Sequence, residues 1–220
     1  SGLCRFCARA GAARAHALIG HTPPHTNMTV LAPSPTSAAA LAQPATVLIL
    51  PGWQGSGPEH WQMRWARVHG YAVVEQSNWL QPLRGDWLAR LDETVIDTPG
   101  PVVFAAHSLG CILVAAWAAV SRHTHRVRGA LLVAPGDTES PALNNRLPGW
   151  SPIVRQALPF ESILVGSQND PFCTHERALG LARDWGARWL DLGAAGHINA
   201  DSSLGDWPVG HALLQTLLKD

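Results

Sequence analysis

Short apolar runs alternate with longer segments of helical spacing from residue 45 to the end of the chain. The runs that predict strands are 45–52, 71–77, 101–107, 127–135, 162–168 and 187–193, and the segments that predict helices are 58–70, 85–97, 109–120, 173–185 and 209–219. The strands are apolar on both faces, and the connections between elements are short. This pattern predicts an α/β fold with about six mostly parallel strands and helices on both faces of the sheet.

Residues 1–44 differ in composition from the rest of the chain. They are rich in Ala, Pro, Ser, Thr and His, and the first acidic residue is Glu59. Stretches such as HTPPHT contain prolines that preclude a sustained helix or strand. We therefore expect a flexible N-terminal tail over 1–44 and one domain over 45–220. Two interpretations of the part before Met28 stay open: sequence from outside the native coding region, or a targeting segment whose arginines occur without acids.

Overall composition excludes several classes of function. Sixteen basic and sixteen acidic side chains give a formal net charge of zero, so no global field attracts nucleic acid or an anionic membrane. No apolar run reaches the roughly 20 residues that cross a bilayer. Cys4 and Cys7 form a CxxC without a second pair, and no cluster has metal-ligand spacing. We expect a cytoplasmic protein that needs neither metal nor cofactor, and its oligomeric state stays open.

The stretch AAHSLGC, residues 105–111, joins the third predicted strand to an apolar helix and places Ser108 at the turn. In a parallel α/β sheet, ligands and chemistry collect at the carboxyl ends of the strands. A nucleophilic serine on such a turn needs small residues two positions before and after it, and these are Ala106 and Gly110. Ala106 departs from the usual G-x-S-x-G pattern. Taken alone, Ser108 is as consistent with a helix N-cap as with a nucleophile.

A serine nucleophile needs a base, which this fold places downstream in the order Ser, then Asp or Glu, then His. Asp170 and His197 each follow a predicted strand, so both are expected at the same edge of the sheet as Ser108. Asp170 would orient His197, which would act first as a base and then as an acid. Asp137 stays open as an alternative acid, and His175 as an alternative base.

Two backbone N–H groups are needed to stabilise the oxyanion that forms when a serine attacks a carbonyl. Leu109 should supply one, because it directly follows the nucleophile. Trp53, in the loop after the first strand, is the best candidate for the second, with Gln54 next. His107 also abuts the serine, but its side chain is expected to point away from Ser108 across the turn.

Four separated motifs resemble those of a known family, in the same order. They are LILPGWQGSGPEHWQ, AAHSLGC, SQNDPFC and GHINADSSLGDWP, and the resemblance covers about residues 45–220. The chain resembles the small α/β-hydrolases of the retinoblastoma-binding protein 9 family and its bacterial YdeN-type members. This resemblance implies a compact serine hydrolase without a cofactor, with a triad at Ser108, Asp170 and His197. It also implies oxyanion donors at the two backbone positions proposed above, and bacterial members commonly carry Ala two residues before the serine.

The expected substrate site is shallow and open. Many α/β-hydrolases carry a lid between the fourth and fifth strands of this arrangement, but only residues 136–161 occupy that connection here. No cation is placed to bind a substrate carboxylate or phosphate. The side chains expected to wall the site are Gln54, Trp61, Trp150 and Phe160, together with Trp53.

From these features we expect a carboxylesterase-like serine hydrolase that acts on small or medium acyl esters through an acyl-enzyme at Ser108. Two alternatives stay open. One is amidase or aminopeptidase-like activity, or acyl transfer, with the same triad. The other is a non-catalytic protein of this fold that acts through protein contacts. The expected partner is a small-molecule ester or amide, with neither nucleic acid nor a membrane involved.

Overall fold

Six strands form one sheet in the computed structural model, which describes residues 44–219. The strands are β1 Thr46–Leu50, β2 Ala72–Val73, β3 Val102–His107, β4 Val127–Val133, β5 Glu161–Gly166 and β6 Arg188–Asp191. Their spatial order is β2-β1-β3-β4-β5-β6, and every neighbouring pair is parallel. The predicted fold class is confirmed, whereas the tail expected over 1–44 lies outside the described residues except for Pro44.

Residues 44–219 contain six α-helices, of which five lie between consecutive strands and one follows β6. They are α1 Trp61–His69, α2 Arg84–Asp97, α3 Leu109–Ala118, α4 Pro141–Asn144, α5 His175–Trp185 and α6 Pro208–Leu218. Helices α2, α3 and α5 contribute to the core on one face of the sheet, and α1 and α6 contribute to the core on the other. None of these six helices is both long and apolar enough to cross a membrane.

Alternating strand residues divide the core into two layers. In β1, Leu48 and Leu50 pack in one layer, while Val47 and Ile49 pack in the other, as the period of two along a strand requires. Because helices cover both faces, β3 is buried at every position. This two-sided burial explains why the strands are continuous apolar runs in the sequence instead of alternating ones.

Buried tryptophans tie the loops to this core. Six of the ten tryptophans are less than 2% exposed, and the indole N–H of each of these six donates to an oxygen that is 9 to 141 residues away in the sequence. Trp61 Nε1 donates to the Ile198 carbonyl at 2.9 Å, and Trp150 Nε1 donates to the Pro82 carbonyl at 2.9 Å. Each such side chain buries a large apolar area and satisfies its polar group at the same time.

Two elements are shorter than the apolar pattern predicts. The strand expected over 71–77 is reduced to β2, which lies at the edge of the sheet and pairs with β1 alone. The helix expected from residue 58 begins at Trp61, because His60 has an extended backbone and its side chain caps the helix by accepting the Gln62 N–H. Both differences lie at element ends, where local pattern is least informative.

The connection between β4 and β5 is the part of the fold that stands over the carboxyl edge of the sheet. It spans residues 134–160 and contains one helix of four residues, α4. The prediction of a fold without a large lid is therefore confirmed. The backbone continues the helical turn beyond α4, since the N–H groups of Arg146 and Leu147 both donate to the Leu143 carbonyl at 2.9 Å.

Candidate active site

Ser108 lies at the sharp turn where β3 ends and α3 begins. Its backbone has φ 53° and ψ −118°, a conformation that residues with a side chain rarely adopt. The Ser108 N–H donates to the Val133 carbonyl of the neighbouring strand at 3.0 Å, which holds the turn in place. The side chain makes no capping hydrogen bond to the helix. The turn therefore presents the hydroxyl at the carboxyl edge of the sheet instead of using it as an N-cap.

Small neighbours make this turn possible. A Cβ on Gly110 would lie 2.3 Å from the Leu50 carbonyl oxygen and 3.0 Å from that of Pro51, so no side chain fits there. Ala106, which replaces the more usual glycine, is fully buried in the core layer beside α3. Its single methyl group packs as an ordinary core side chain, so the departure from G-x-S-x-G leaves the turn intact.

Ser108, His197 and Asp170 form a continuous chain of hydrogen-bonding atoms. His197 Nε2 lies 3.0 Å from Ser108 Oγ, and His197 Nδ1 lies 2.8 Å and 3.0 Å from the two carboxylate oxygens of Asp170. The side chains of His197 and Asp170 are only 9% and 3% exposed. With the carboxylate at Nδ1, that nitrogen carries the proton, and Nε2 is left free to accept from the serine hydroxyl.

The alternative acid and base lie elsewhere. Asp137 Oδ1 accepts hydrogen bonds from the Arg177 guanidinium at 3.1 Å and from the Glu139 N–H at 3.2 Å. His175 Nε2 lies 3.3 Å from a carboxylate oxygen of Asp191. Within residues 44–219, neither side chain is hydrogen-bonded to the serine or histidine of the chain described above. The geometry therefore favours Asp170 over Asp137 as the partner of the histidine.

Several hydrogen bonds hold the loop that carries His197, three of them next to the imidazole. The Asn169 side-chain oxygen accepts the Gly196 N–H at 2.7 Å, so the loop is joined to the neighbour of Asp170. Trp61 Nε1 donates to the Ile198 carbonyl, and His107 Nε2 lies 2.9 Å from the His197 carbonyl. The imidazole of His197 is thus fixed through its own backbone as well as through its ring.

The prediction that His107 points away from the site is wrong. Its ring does lie on the α1 side of the sheet, but the loop bearing His197 folds down over that side. The two rings are 4.8 Å apart between centroids, and His107 lines the cavity at Ser108. Since a carbonyl oxygen can only accept, the contact with the His197 carbonyl places the His107 proton on Nε2.

Two buried imidazoles beside His197 stay neutral. Burial, with a smaller effect of the nearby His197, lowers the pKa of His60 to about 4. Burial also holds the pKa of His107 well below its ordinary value, helped by His197 and His60. Because His60 Nδ1 accepts the Gln62 N–H, the proton of His60 is on Nε2. Neutral neighbours place no permanent positive charge next to the imidazole that would have to take up a proton.

The backbone N–H groups of Trp53 and Leu109 have no hydrogen-bond acceptor among the described residues. Leu109 is the first residue of α3, so its N–H lies at the positive end of a helix next to Ser108. The Gln54 N–H, the second choice on sequence grounds, instead donates to the Trp79 carbonyl at 3.0 Å. This difference favours Trp53 as the donor in the loop after β1.

Gly52 brings that loop against the serine. A Cβ at this position would lie 2.7 Å from Ser108 Cβ and 3.3 Å from Ser108 Oγ. We expect Gly52→Ala to lower kcat/KM for ester hydrolysis about 100-fold, because a displacement near 1 Å at reacting groups has an effect of that order. The control is Gly180→Ala in α5, where an added Cβ meets nothing within 4 Å. Equal activity of the two variants would contradict the close approach of the loop to the nucleophile.

A cavity of about 350 Å³ opens over Ser108. Gln54 lines it, as the sequence suggests, and so does Trp53. Trp61, Trp150 and Phe160 do not, and those three expectations are corrected. The two tryptophans are buried and use their indole N–H groups to hold loops, while Phe160 packs edge-on against Phe104 in the core.

Sequence reasoning missed several residues of the cavity wall. Phe172 lies with its ring centroid 4.6 Å from that of His197, because the Phe172 N–H donates to Asp170 Oδ1 and turns the chain back over the imidazole. Arg146 also lines the cavity, together with Leu143 and Leu147, so a cation does stand at the site. The Asp-Pro-Phe turn could have indicated Phe172, but nothing local in the sequence indicates that Arg146 faces the cavity.

The two cysteines that the structure describes are free thiols, and both are buried. Burial raises the pKa of Cys111 and of Cys173 well above the ordinary value for a thiol. Both side chains therefore stay protonated. They are poor nucleophiles, because the thiolate and not the thiol is the reactive form. The prediction that these residues act as small buried hydrophobes is confirmed, while Cys4 and Cys7 lie outside the described residues.

Comparisons with known proteins identify the family of this chain. A family model described as serine hydrolase matches residues 47–216, a range that includes Ser108, Asp170 and His197. No curated protein matches the chain.

Similar solved structures include a protein described as a YdeN-like hydrolase from Pectobacterium atrosepticum. It is 26% identical, with a TM-score of 0.68, and the match covers 83% of this chain and 94% of that one. The ydeN gene product of B. subtilis is 19% identical, with a TM-score of 0.66 and coverage of 80% and 100%. Thermogutta terrifontis esterase 2 is 16% identical, with a TM-score of 0.57 and coverage of 81% and 84%.

Proposed function

Because the chain belongs to the serine hydrolase family, we propose that it is a carboxylesterase-like enzyme that cleaves small or medium acyl esters through an acyl-enzyme at Ser108. The observation that carries the proposal is the unbroken series of contacts from Asp170 through His197 to Ser108, at 2.8 Å and 3.0 Å. A serine hydroxyl becomes a useful nucleophile only when an oriented base lies within such reach.

In the acylation step, Ser108 Oγ attacks the ester carbonyl carbon while His197 Nε2 takes the hydroxyl proton. The carboxylate of Asp170 keeps the imidazole in the correct tautomer and stabilises the imidazolium that forms. The negative charge that develops on the carbonyl oxygen is stabilised by the N–H groups of Trp53 and Leu109. His197 then gives the proton to the departing alcohol oxygen, which leaves the acyl group on Ser108.

In the deacylation step, His197 takes a proton from a water molecule that attacks the acyl-enzyme carbonyl. The same two N–H groups stabilise the second oxyanion. When this intermediate collapses, the proton returns from Nε2 to Ser108 Oγ and the carboxylic acid leaves. The sum of both steps consumes one ester and one water and yields one acid and one alcohol, so His197 and Ser108 end in their starting states.

The size of the cavity supports small or medium substrates. A volume of about 350 Å³ lies at the lower end of the range of roughly 300–1,000 Å³ found for ligand pockets. The connection over residues 134–160 forms only part of one wall, which leaves the site open to solvent. One structural neighbour is described as an esterase, which supports an ester as the substrate class. The free thiols at Cys111 and Cys173 are consistent with the cytoplasmic location that we expect.

Matched substrates test this proposal on the purified protein. We expect hydrolysis of p-nitrophenyl butyrate and little or none of the p-nitroanilide with the same acyl group, because p-nitrophenolate leaves more readily than the anilide anion and the amide carbonyl is less reactive than the ester carbonyl. Faster cleavage of the anilide would favour the amidase alternative. A fluorophosphonate probe should label Ser108, and a folded sample that neither hydrolyses the ester nor reacts with the probe would favour the non-catalytic alternative.

A further inference from the structure

Arg146 stands in the wall of the cavity over Ser108. Leu143, Arg146 and Leu147 are spaced three and four residues apart along one continuing helical turn, so they project from the same side of the β4–β5 connection. All three line the cavity. A Cβ built on Gly136 would lie 3.4 Å from Ser108 Oγ and 3.5 Å from Leu143 Cδ1. This wall therefore begins beside the nucleophile.

The guanidinium of Arg146 is held by an aromatic ring and not by an acid. Its central carbon lies 4.5 Å from the centroid of the Trp53 ring, and the Trp53 indole N–H is itself fixed to the Leu80 carbonyl at 3.0 Å. Among the described residues, no carboxylate lies within 4.0 Å of this guanidinium. Stacking orders the side chain while its five N–H donors stay available, which is an arrangement suited to binding an anion.

The charge around the cavity has one sign. Its lining contains no Asp or Glu, and burial keeps two of its three histidines, His60 and His107, neutral. The third is His197, the proposed base, which starts the reaction unprotonated at Nε2. Asp170 belongs to the site, but it contacts His197 at Nδ1, on the opposite side of the ring from Ser108, and it is not part of the cavity lining. Arg146 is therefore the formal charge that a substrate meets when it enters this cavity.

From this arrangement we infer that Arg146 determines specificity, selecting esters that carry a carboxylate a few atoms away from the scissile bond. This inference rests on the proposed ester hydrolysis and adds the substrate class to it. Arg146 acts on binding alone, because it contacts neither Ser108 nor His197, so its effect should appear in KM with little change in kcat. The structure leaves two places for the carboxylate, in the acyl group or in the alcohol.

Two pairs of substrates distinguish these places. For the acyl side, mono-p-nitrophenyl glutarate is compared with p-nitrophenyl pentanoate. For the alcohol side, 4-carboxyphenyl butyrate is compared with 4-carbamoylphenyl butyrate. In one of the pairs, the wild-type protein should show a kcat/KM about tenfold higher for the charged ester, which is the usual order for a partly exposed charge-assisted contact.

Substitution at Arg146 tests the assignment. The ratio of charged to neutral kcat/KM should fall about tenfold in Arg146→Gln and recover at least in part in Arg146→Lys. It should also fall when the salt concentration rises from 0.05 to 0.5 M, because screening weakens an exposed pair. The control is Arg67→Gln on the exposed side of α1, which removes the same charge at a residue that does not line the cavity. A ratio that does not respond to Arg146→Gln, or that falls equally in Arg67→Gln, overturns the inference.

A binding measurement separates failure of this inference from failure of the proposed hydrolysis. Both charged esters are titrated calorimetrically into Ser108→Ala and into Ser108→Ala/Arg146→Gln. We expect the Kd of the selected ester to be about tenfold higher in the double variant. If the wild type hydrolyses neutral esters but these Kd values are equal, the enzyme proposal stands and the carboxylate specificity is wrong. If no ester is hydrolysed but the Kd values differ as expected, the anion site stands without the reaction.

Discussion

Replacing Ser108 by alanine is expected to lower kcat for p-nitrophenyl butyrate by about 10⁴- to 10⁶-fold. The alanine removes the atom that attacks the carbonyl, and no other hydroxyl or reactive thiolate of the described residues takes its place beside His197. Cys111, the nearest thiol in sequence, is buried and keeps its proton. Initial rates at saturating ester, measured with the same enzyme concentration, give the comparison directly.

The same substitution should leave the fold intact. Ser108 makes no capping hydrogen bond to α3, and its backbone conformation depends on Gly110 and on the bond to Val133, not on the hydroxyl. We therefore expect the unfolding midpoint to change by no more than about 3 °C. Retained turnover in a folded Ser108→Ala variant would rule out the acyl-enzyme. Loss of both turnover and folding would return the serine to a structural role.

Asp170→Asn is expected to lower kcat by about 10³- to 10⁴-fold. An amide at this position can present its NH₂ group to His197 Nδ1, which would move the imidazole proton to Nε2 and prevent that atom from accepting the serine proton. In the wild type, the carboxylate oxygens of Asp170 lie 2.8 Å and 3.0 Å from His197 Nδ1, so the correct tautomer of the imidazole depends on Asp170. The measurement is kcat for the same ester at pH 7.5.

Asp137→Asn is the matched control for this prediction, because Asp137 is the alternative acid on the neighbouring strand end. Its carboxylate pairs with Arg177 and makes no hydrogen bond to His197. We expect Asp137→Asn to keep kcat within about threefold of the wild type while weakening the fold by about 1 kcal/mol, as for a partly buried ion pair. If Asp137→Asn caused the large loss and Asp170→Asn did not, the acid would have been assigned to the wrong strand end.

Topology explains why the candidate site could be predicted from the sequence so well. A parallel sheet brings the carboxyl ends of its strands to one edge, so Ser108, Asp170 and His197 could be expected together although the serine and the histidine are 89 residues apart. Each also lies in a short stretch whose small or turn-forming residues fit its position. The parallel pairing follows from the same alternation of apolar runs and helices, whereas the strand order is visible only in the structure.

The walls of the cavity could not be predicted in the same way. A high tryptophan content shows that large side chains must be buried, but it does not show which of them pack and which line a site. Trp61 and Trp150 pack because their indole N–H groups find carbonyls 137 and 68 residues away, and such partners are visible only in the fold. Arg146 faces the cavity for a similar reason, since its direction depends on how residues 134–160 lie over the sheet.

The proposed reacting groups and the proposed specificity residue lie in different parts of the fold, and this separation has an evolutionary consequence. The atoms that would break the ester come from β-strand ends and the turns next to them, whereas Leu143, Arg146 and Leu147 come from a segment that contributes nothing to the sheet. Substitutions at the exposed positions 144–146 can therefore change which molecules enter without disturbing the chemistry, whereas Gly136 and Trp150 of the same connection lie beside Ser108 and in the core. Proteins built this way can change their substrate specificity while the reaction stays the same. These positions are therefore the first target for changing substrate specificity by directed evolution.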